Sequence, residues 1–153
     1  MPHDRLEMKQ TTDRKQDNAR SQHSLKVQET RDVLKQVLAE KRHGDIAVVS
    51  SFGAESAVLL HLVASIEPST PVIFIDTRML FEETLRYKDE LIRKLGLTDV
   101  RTVSPDGDVI RGTDPYGRMH LSDPDACCGF RKTDVLRKAL IAFDGWITGR
   151  KRF

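Results

Sequence analysis

The sequence predicts an α/β fold: a parallel sheet with helices on both faces. Three observations carry that expectation. Two short runs of apolar, β-branched residues, Asp45–Ser50 and Pro71–Ile75, read as strands buried on both faces. Segments with apolar residues at helical spacing lie between and after them. The two kinds of segment alternate, as they must when parallel strands are joined by crossover helices. A length of 153 residues fits one such domain.

Taken in order, residues 1–23 are dominated by Lys, Arg, Gln, Asp, Thr and His, and read as a polar, disordered tail. Ser24 is placed to cap a helix running to about Arg42, with Val33, Leu34, Val37 and Leu38 on one face and Gly44 as its stop. The first strand follows, then the loop Ser51–Ser56, then a helix over Ala57–Ser65. Asp76 and Thr77 end the second strand, and Phe81–Leu95 reads as a helix stopped by Gly96. Asp99–Val103 is a third strand. Residues 104–124, rich in Gly, Pro and Asp, read as a long loop or lid. A helix over Pro124–Phe143 and a last strand over Gly145–Gly149 complete the pattern.

Composition narrows the function. Hydrophobic residues make up 39% and charged residues 31%, with 25 basic against 23 acidic side chains and a net charge of +2. That balance argues against a general nucleic-acid binder, while a small anion needs only local positive charge. The longest mostly apolar run, Ala57–Ile66, contains His61 and is too short to span a bilayer. The opening MPHDRLEMKQ lacks the apolar stretch of a secretory signal. Two cysteines are too few for a disulfide framework, so the expected location is cytoplasmic, with neither membrane nor nucleic acid as partner.

The stretch SSFGAES sits beyond a strand's carboxyl end and at a helix start, where open α/β sheets bind ligands. Gly53 allows close backbone approach, Ser51 and Ser56 offer hydroxyls, and a helix N-terminus offers free N–H groups to a phosphate or sulfate. It is neither a Walker A loop nor a GxGxxG fingerprint, and an ordinary strand–turn–helix corner has the same composition.

SSFGAES resembles the PP-loop of the adenine-nucleotide α-hydrolase-like fold. FIDTRMLFEET, DPDACCGFRKTDVL and WITGRKRF resemble three further segments of the sulfonucleotide reductases, in the same order, so that the likeness covers about Ser24 to Phe153. The resemblance implies that fold and an enzyme that reduces adenylyl sulfate, or its 3′-phosphorylated form, to sulfite and a nucleotide with electrons from thioredoxin or glutaredoxin. By position, it assigns substrate contacts to Ser51, Gly53, Glu55, Ser56, Asp76, Thr77, Arg131, Lys132, Thr148, Gly149 and Arg150.

Cys127 and Cys128 are the chain's two cysteines, and they are neighbours. A disulfide between them departs from the usual Cα separation of roughly 4.4–6.8 Å. Asp123 and Pro124 suit the cap and first position of a helix, a setting that favours thiolates. Arg131 and Lys132 follow four residues after Cys127 and Cys128, respectively. Read from the residues alone, the pair is either two buried free thiols or half of a metal site. One zinc is hard to grip with ligands about 100° apart on a helix. An iron–sulfur cluster normally takes four thiolates. The resemblance implies the second reading: in cluster-type adenylyl-sulfate reductases such a pair, with a later Cys-x-x-Cys, holds a 4Fe-4S cluster, and the nearby lysine links it electrostatically to the substrate.

The family's second cysteine pair and its nucleophilic cysteine have no counterpart here, so the expectation is a domain incomplete at its C-terminus over residues 24–153, inactive alone. Other readings stand beside it. Asp76 and Thr77 suit a helix cap as well as a ribose or adenine contact, and the Thr148–Arg150 segment suits a plain surface turn. Trp146 and His61 are expected in the core. Preference for the 3′-phosphorylated substrate, an ATP-using PP-loop enzyme, a non-catalytic nucleotide-binding module and homo-oligomerisation all remain open.

Overall fold

The computed structural model describes residues 21, 22 and 24–149. The expected polar tail therefore lies outside the described residues, apart from 21 and 22, which are helical. Helix α1 runs over 24–34 and continues as a π-helical turn over Lys35–Ala39. The alternation then proceeds through β1 (Ile46–Val49), α2 (Ala54–Ile66), β2 (Val72–Ile75), α3 (Glu82–Leu95) and β3 (Val100–Val103). Short helices α4 (Gly107–Thr113), α5 (Met119–Ser122) and α6 (Pro124–Cys128) follow, then a π-helical turn over Gly129–Thr133, α7 (Asp134–Leu140) and β4 (Gly145–Thr148).

The described strands form one parallel sheet in the order β3-β2-β1-β4. Val48 pairs with Val72 and with Ile147, and Ile73 with Arg101. The chain steps outward from β1 to β3, then returns to the other side of β1. The reversal falls between β1 and β4, which is where such sheets open a crevice at their carboxyl ends.

Val48, Leu60, Val63 and Val72 are fully buried between sheet and helices. Phe52 and Phe74 meet edge to face beside them, with centroids 5.6 Å apart. Gly96 ends α3 in the left-handed conformation (φ 70°), as a glycine stop should. The entries of β1 and β4 are pinned together: the Asp45 N–H donates to Asp144 Oδ2 and the Asp144 N–H to the Asp45 carbonyl, each at 2.8 Å. Gly44 stands beside this pin with φ 80°, and a Cβ there would collide with the Asp144 carboxylate.

Four expectations need correction. The first loop is shorter than read, because α2 begins at Ala54, three residues before Ala57. Residues 104–124 are not one irregular loop but hold α4 and α5. Trp146 is 59% exposed, because β4 turns Gly145 and Ile147 to its half-buried face and Trp146 and Thr148 to the open one. His61 is exposed, since α2 turns Leu60, Leu62 and Val63 inward instead.

Candidate active site

The loop after β1 is shaped by residues on either side of the expected ones. Ser50 is buried, and its Oγ accepts the Phe52 N–H at 3.0 Å. Phe52 adopts a left-handed backbone (φ 57°), so its ring drops into the core while Ser51 and Gly53 remain exposed. Gly53 caps α2 with no side-chain hydrogen bond to the first turn. The helix thus starts with N–H groups that no capping side chain occupies, a setting for an anion. Glu55 lies in that first turn, and Ser56, half buried, donates its N–H to the Gly53 carbonyl at 2.9 Å.

Across the crevice, Thr148 and Gly149 are exposed at the end of β4. Gly149 lies against α2, where an added Cβ would come within 3.4 Å of Leu59. Gly149 thus brings the end of β4 alongside the helix that carries the anion loop. Arg150 lies outside the described residues.

Asp76 and Thr77, at the end of β2, are buried and turned to local work. Asp76 Oδ1 accepts the Arg78 N–H at 2.8 Å, and Thr77 Oγ1 accepts the Met79 N–H at 3.3 Å. These are tight side-chain turns and not the helix cap weighed from the sequence, since α3 starts only at Glu82 behind Phe81, which makes no side-chain cap; Arg78 lies in the left-handed region (φ 62°). What this end of the strand presents outward is the shaped backbone and the exposed Arg78 side chain.

The cysteine segment begins as read. Asp123 Oδ1 accepts the Ala126 N–H at 3.0 Å, with Pro124 in the first turn. Cys127 is buried and Cys128 exposed. The π turn then starts at Gly129, and its wider i→i+5 bonding shifts Lys132 around the helix relative to Cys128. Lys132 is exposed. Arg131 is not the open cation expected from the sequence: the π turn carries it inward, to 3% exposure. Its Nη2 donates to Asp114 Oδ2 and its Nη1 to the Thr77 carbonyl, both at 2.9 Å, and its guanidinium lies 4.8 Å from the Phe130 ring centroid. Its Nε is buried without a hydrogen-bond partner among the described residues.

Asp114 is the residue that sequence reasoning missed. Its Oδ1 accepts the N–H groups of Arg118 and Met119 at 2.8 and 3.1 Å. The hydrogen bond from Arg131 holds its carboxyl below the usual carboxylate range; burial opposes this and the two backbone N–H groups assist it. A signal was present: Asp-Pro-Tyr-Gly is the pattern of a type I turn, and the Gly117 N–H does close on the Asp114 carbonyl at 3.1 Å.

Comparison with known proteins decides the family. A model of the phosphoadenosine phosphosulfate reductase domain matches residues 45–153. The chain belongs to the phosphoadenosine phosphosulfate reductase family. It is 46% identical over 122 residues to an adenosine 5′-phosphosulfate reductase of Mesorhizobium japonicum, covering 80% of this chain and 48% of that protein. It is 48% identical over 109 residues to the enzyme of that name from Chelativorans, covering 71% and 44%. A phosphoadenosine 5′-phosphosulfate reductase of Gloeobacter violaceus is 34% identical over 120 residues, covering 76% and 50%. The chain thus spans about half the length of these curated relatives. The crystal structure of a phosphoadenylyl-sulfate reductase from Candida auris superposes with a TM-score of 0.65 over 78% of this chain and 62% of that one; at 19% identity it shows the shared fold.

Cys127 and Cys128 supply two sulfur donors side by side. Among the described residues, no group of three or more His, Cys, Asp or Glu side chains gathers to hold a metal ion. Two thiols match in number half of the four that a cluster normally takes, one of them buried and the other exposed. Among the described residues, no helix is long and apolar enough to cross a membrane.

Proposed function

We propose that this reductase-family domain binds adenylyl sulfate and serves its reduction to sulfite and AMP, with thioredoxin as electron donor, in the cytoplasm. The observation that carries the reading is the exposed Cys128, with buried Cys127 beside it, directly before a turn that Arg131 ties to Thr77 at the carboxyl end of β2; α2 opens with no side-chain cap after the carboxyl end of β1. Two relatives named for adenosine 5′-phosphosulfate are 46 and 48% identical, while others of that name, at 31–36%, fall in the same range as the phosphoadenosine enzyme at 34%; the two most similar of these support the substrate without a 3′-phosphate.

On this reading the first turn of α2, with Ser51 and Gly53, receives the phosphate or sulfate, and Lys132 and Arg78 add positive charge. The Asp76–Thr77 turn and the Thr148–Gly149 strand end flank the nucleotide, with Arg150 supplying a further cation. Cys127 and Cys128 would hold two corners of a 4Fe-4S cluster, which when bound supplies an electrostatic link through Lys132 to the substrate. Sulfite formation needs a further cysteine thiolate to attack the sulfate sulfur and release AMP. The resulting S-sulfonate is then reduced by a dithiol, giving sulfite and a disulfide. Neither Cys127 nor Cys128 fills that role, so this 153-residue chain does not turn over by itself.

Two measurements test the proposal. Calorimetry on this chain should show adenylyl sulfate binding in preference to both its 3′-phosphorylated form and ATP. A chimera joining this chain to the remaining half of the Mesorhizobium japonicum relative should carry iron, absorb visible light and release sulfite; the same chimera with Cys127→Ser and Cys128→Ser should be colourless. A colourless, iron-free chimera with full activity refutes the cluster assignment, and preference for ATP refutes the substrate assignment.

A further inference from the structure

Three chain segments meet at one guanidinium. Arg131 reaches Thr77, 54 residues away, and Asp114, 17 residues away. We propose that the Asp114–Arg131 pair is a positioning device that locks the nucleotide end of the site, at Thr77, to the π turn that directly follows Cys127 and Cys128. This rests on reading the carboxyl-end crevice as a sulfonucleotide site.

The geometry supports a device for placement rather than for stability. Both side chains are 4% exposed. A buried ion pair is poor evidence of stabilisation, because an apolar pair of similar volume is often as stable or more so. What an apolar pair cannot reproduce is the fork. A guanidinium holds its two acceptors in one plane, here the Asp114 carboxylate and the Thr77 carbonyl. Asp114 cannot swing to follow a moving arginine, since its other oxygen is held by the N–H groups of Arg118 and Met119. Arg131 in turn sits on the Phe130 ring within a π turn that begins directly after Cys128. A shift of the β2 end must therefore move this π turn, and the cysteines joined to its start, with it. Thr77 lies within the side-chain-bonded turn from Asp76 to Met79, so the lock bears on the backbone that shapes the nucleotide end.

The test uses the 153-residue chain and two variants. Arg131→Lys keeps a cation for Asp114 but has no planar fork to hold both acceptors. Asp114→Asn combined with Arg131→Met removes the charges, while the asparagine oxygen can still accept from Arg118 and Met119. Urea unfolding establishes that each variant is folded. In the folded variants, affinity for adenylyl sulfate should fall on the order of tenfold, as when a binding group is misplaced. The reaction of Cys127 with an aromatic disulfide reagent should rise by a similar factor toward that of the exposed Cys128. A purely structural role would lower the urea midpoint and leave both readings at their parent values. Folded variants with parental affinity, or with Cys127 as slow as in the parent, overturn the proposal. Should the double variant not fold, Arg131→Lys decides alone. A parent chain that binds no adenylyl sulfate overturns the substrate reading instead. That outcome is distinguishable, because the thiol measurement needs no nucleotide.

Discussion

Replacing Gly44 by alanine tests how the sheet is pinned at the end opposite the site. Gly44 has φ 80°, a conformation that costs an L-residue about 1–2 kcal/mol. The new methyl would also collide with the Asp144 carboxylate, which accepts the Asp45 N–H at 2.8 Å. Displacing that carboxylate forfeits a hydrogen bond with a net value of about 0.5–1.5 kcal/mol. Against this, alanine restricts the unfolded chain, which returns about 0.4–1 kcal/mol. The expected loss for Gly44→Ala is therefore about 1.8 kcal/mol. Asp144→Ala alone removes the hydrogen bond and should cost about 1 kcal/mol. The two losses share one bond, so the double variant should lose about 1.8 kcal/mol and not the additive value of about 2.8 kcal/mol. Urea unfolding with an unchanged slope is the assay. Losses that add to within about 0.3 kcal/mol would refute the reasoning, because they would mean that the methyl and the carboxylate never compete.

Phe52→Ala and Phe74→Ala should each cost about 3–5 kcal/mol in urea unfolding, with a coupling of about 0.5–1.5 kcal/mol from their edge-to-face contact at 5.6 Å. A coupling near zero would show that the rings are merely neighbours. Asp114 has its folded pKa lowered, first by the hydrogen bond from Arg131. Its contribution is present in full above the unfolded carboxylate value of about 3.9 and is lost as pH falls through the folded value. Glu67, Glu90 and Asp99 are shifted in the same direction by Ser69, Lys94 and Arg101, so all four add to acid sensitivity. The melting temperature should therefore begin to decline as pH falls below about 5, and Asp114→Asn should flatten part of that decline. An identical slope in the variant would remove Asp114 from the account.

The parallel sheet was legible because its central strands are unbroken apolar runs, which occur where both faces are covered. The Asp123–Pro124 start and the Gly96 stop were legible because caps are local chemistry. His61 was misplaced because α2 is apolar around most of its circumference, so spacing does not say which side faces the sheet. Trp146 was misplaced because a residue's type does not reveal which face of its strand is left open. Arg131 looked like a ligand cation because i,i+4 reasoning assumes an α-helix, and a π turn leaves no clear mark in the sequence. Asp114 needed a partner 17 residues away to become visible, although its turn signature was on display.

The extra residue in the turn over Gly129–Thr133 separates two helical phases. Before it, the phase sets which thiol is inside; after it, the phase sets Val135 against the core. Excising one residue from this stretch would restore ordinary α-helical bonding. It would also rotate everything downstream by about 100° relative to the thiols, withdrawing either Val135 or Arg131 from its place. The segment thus tolerates drift in side-chain chemistry far better than any change in its residue count.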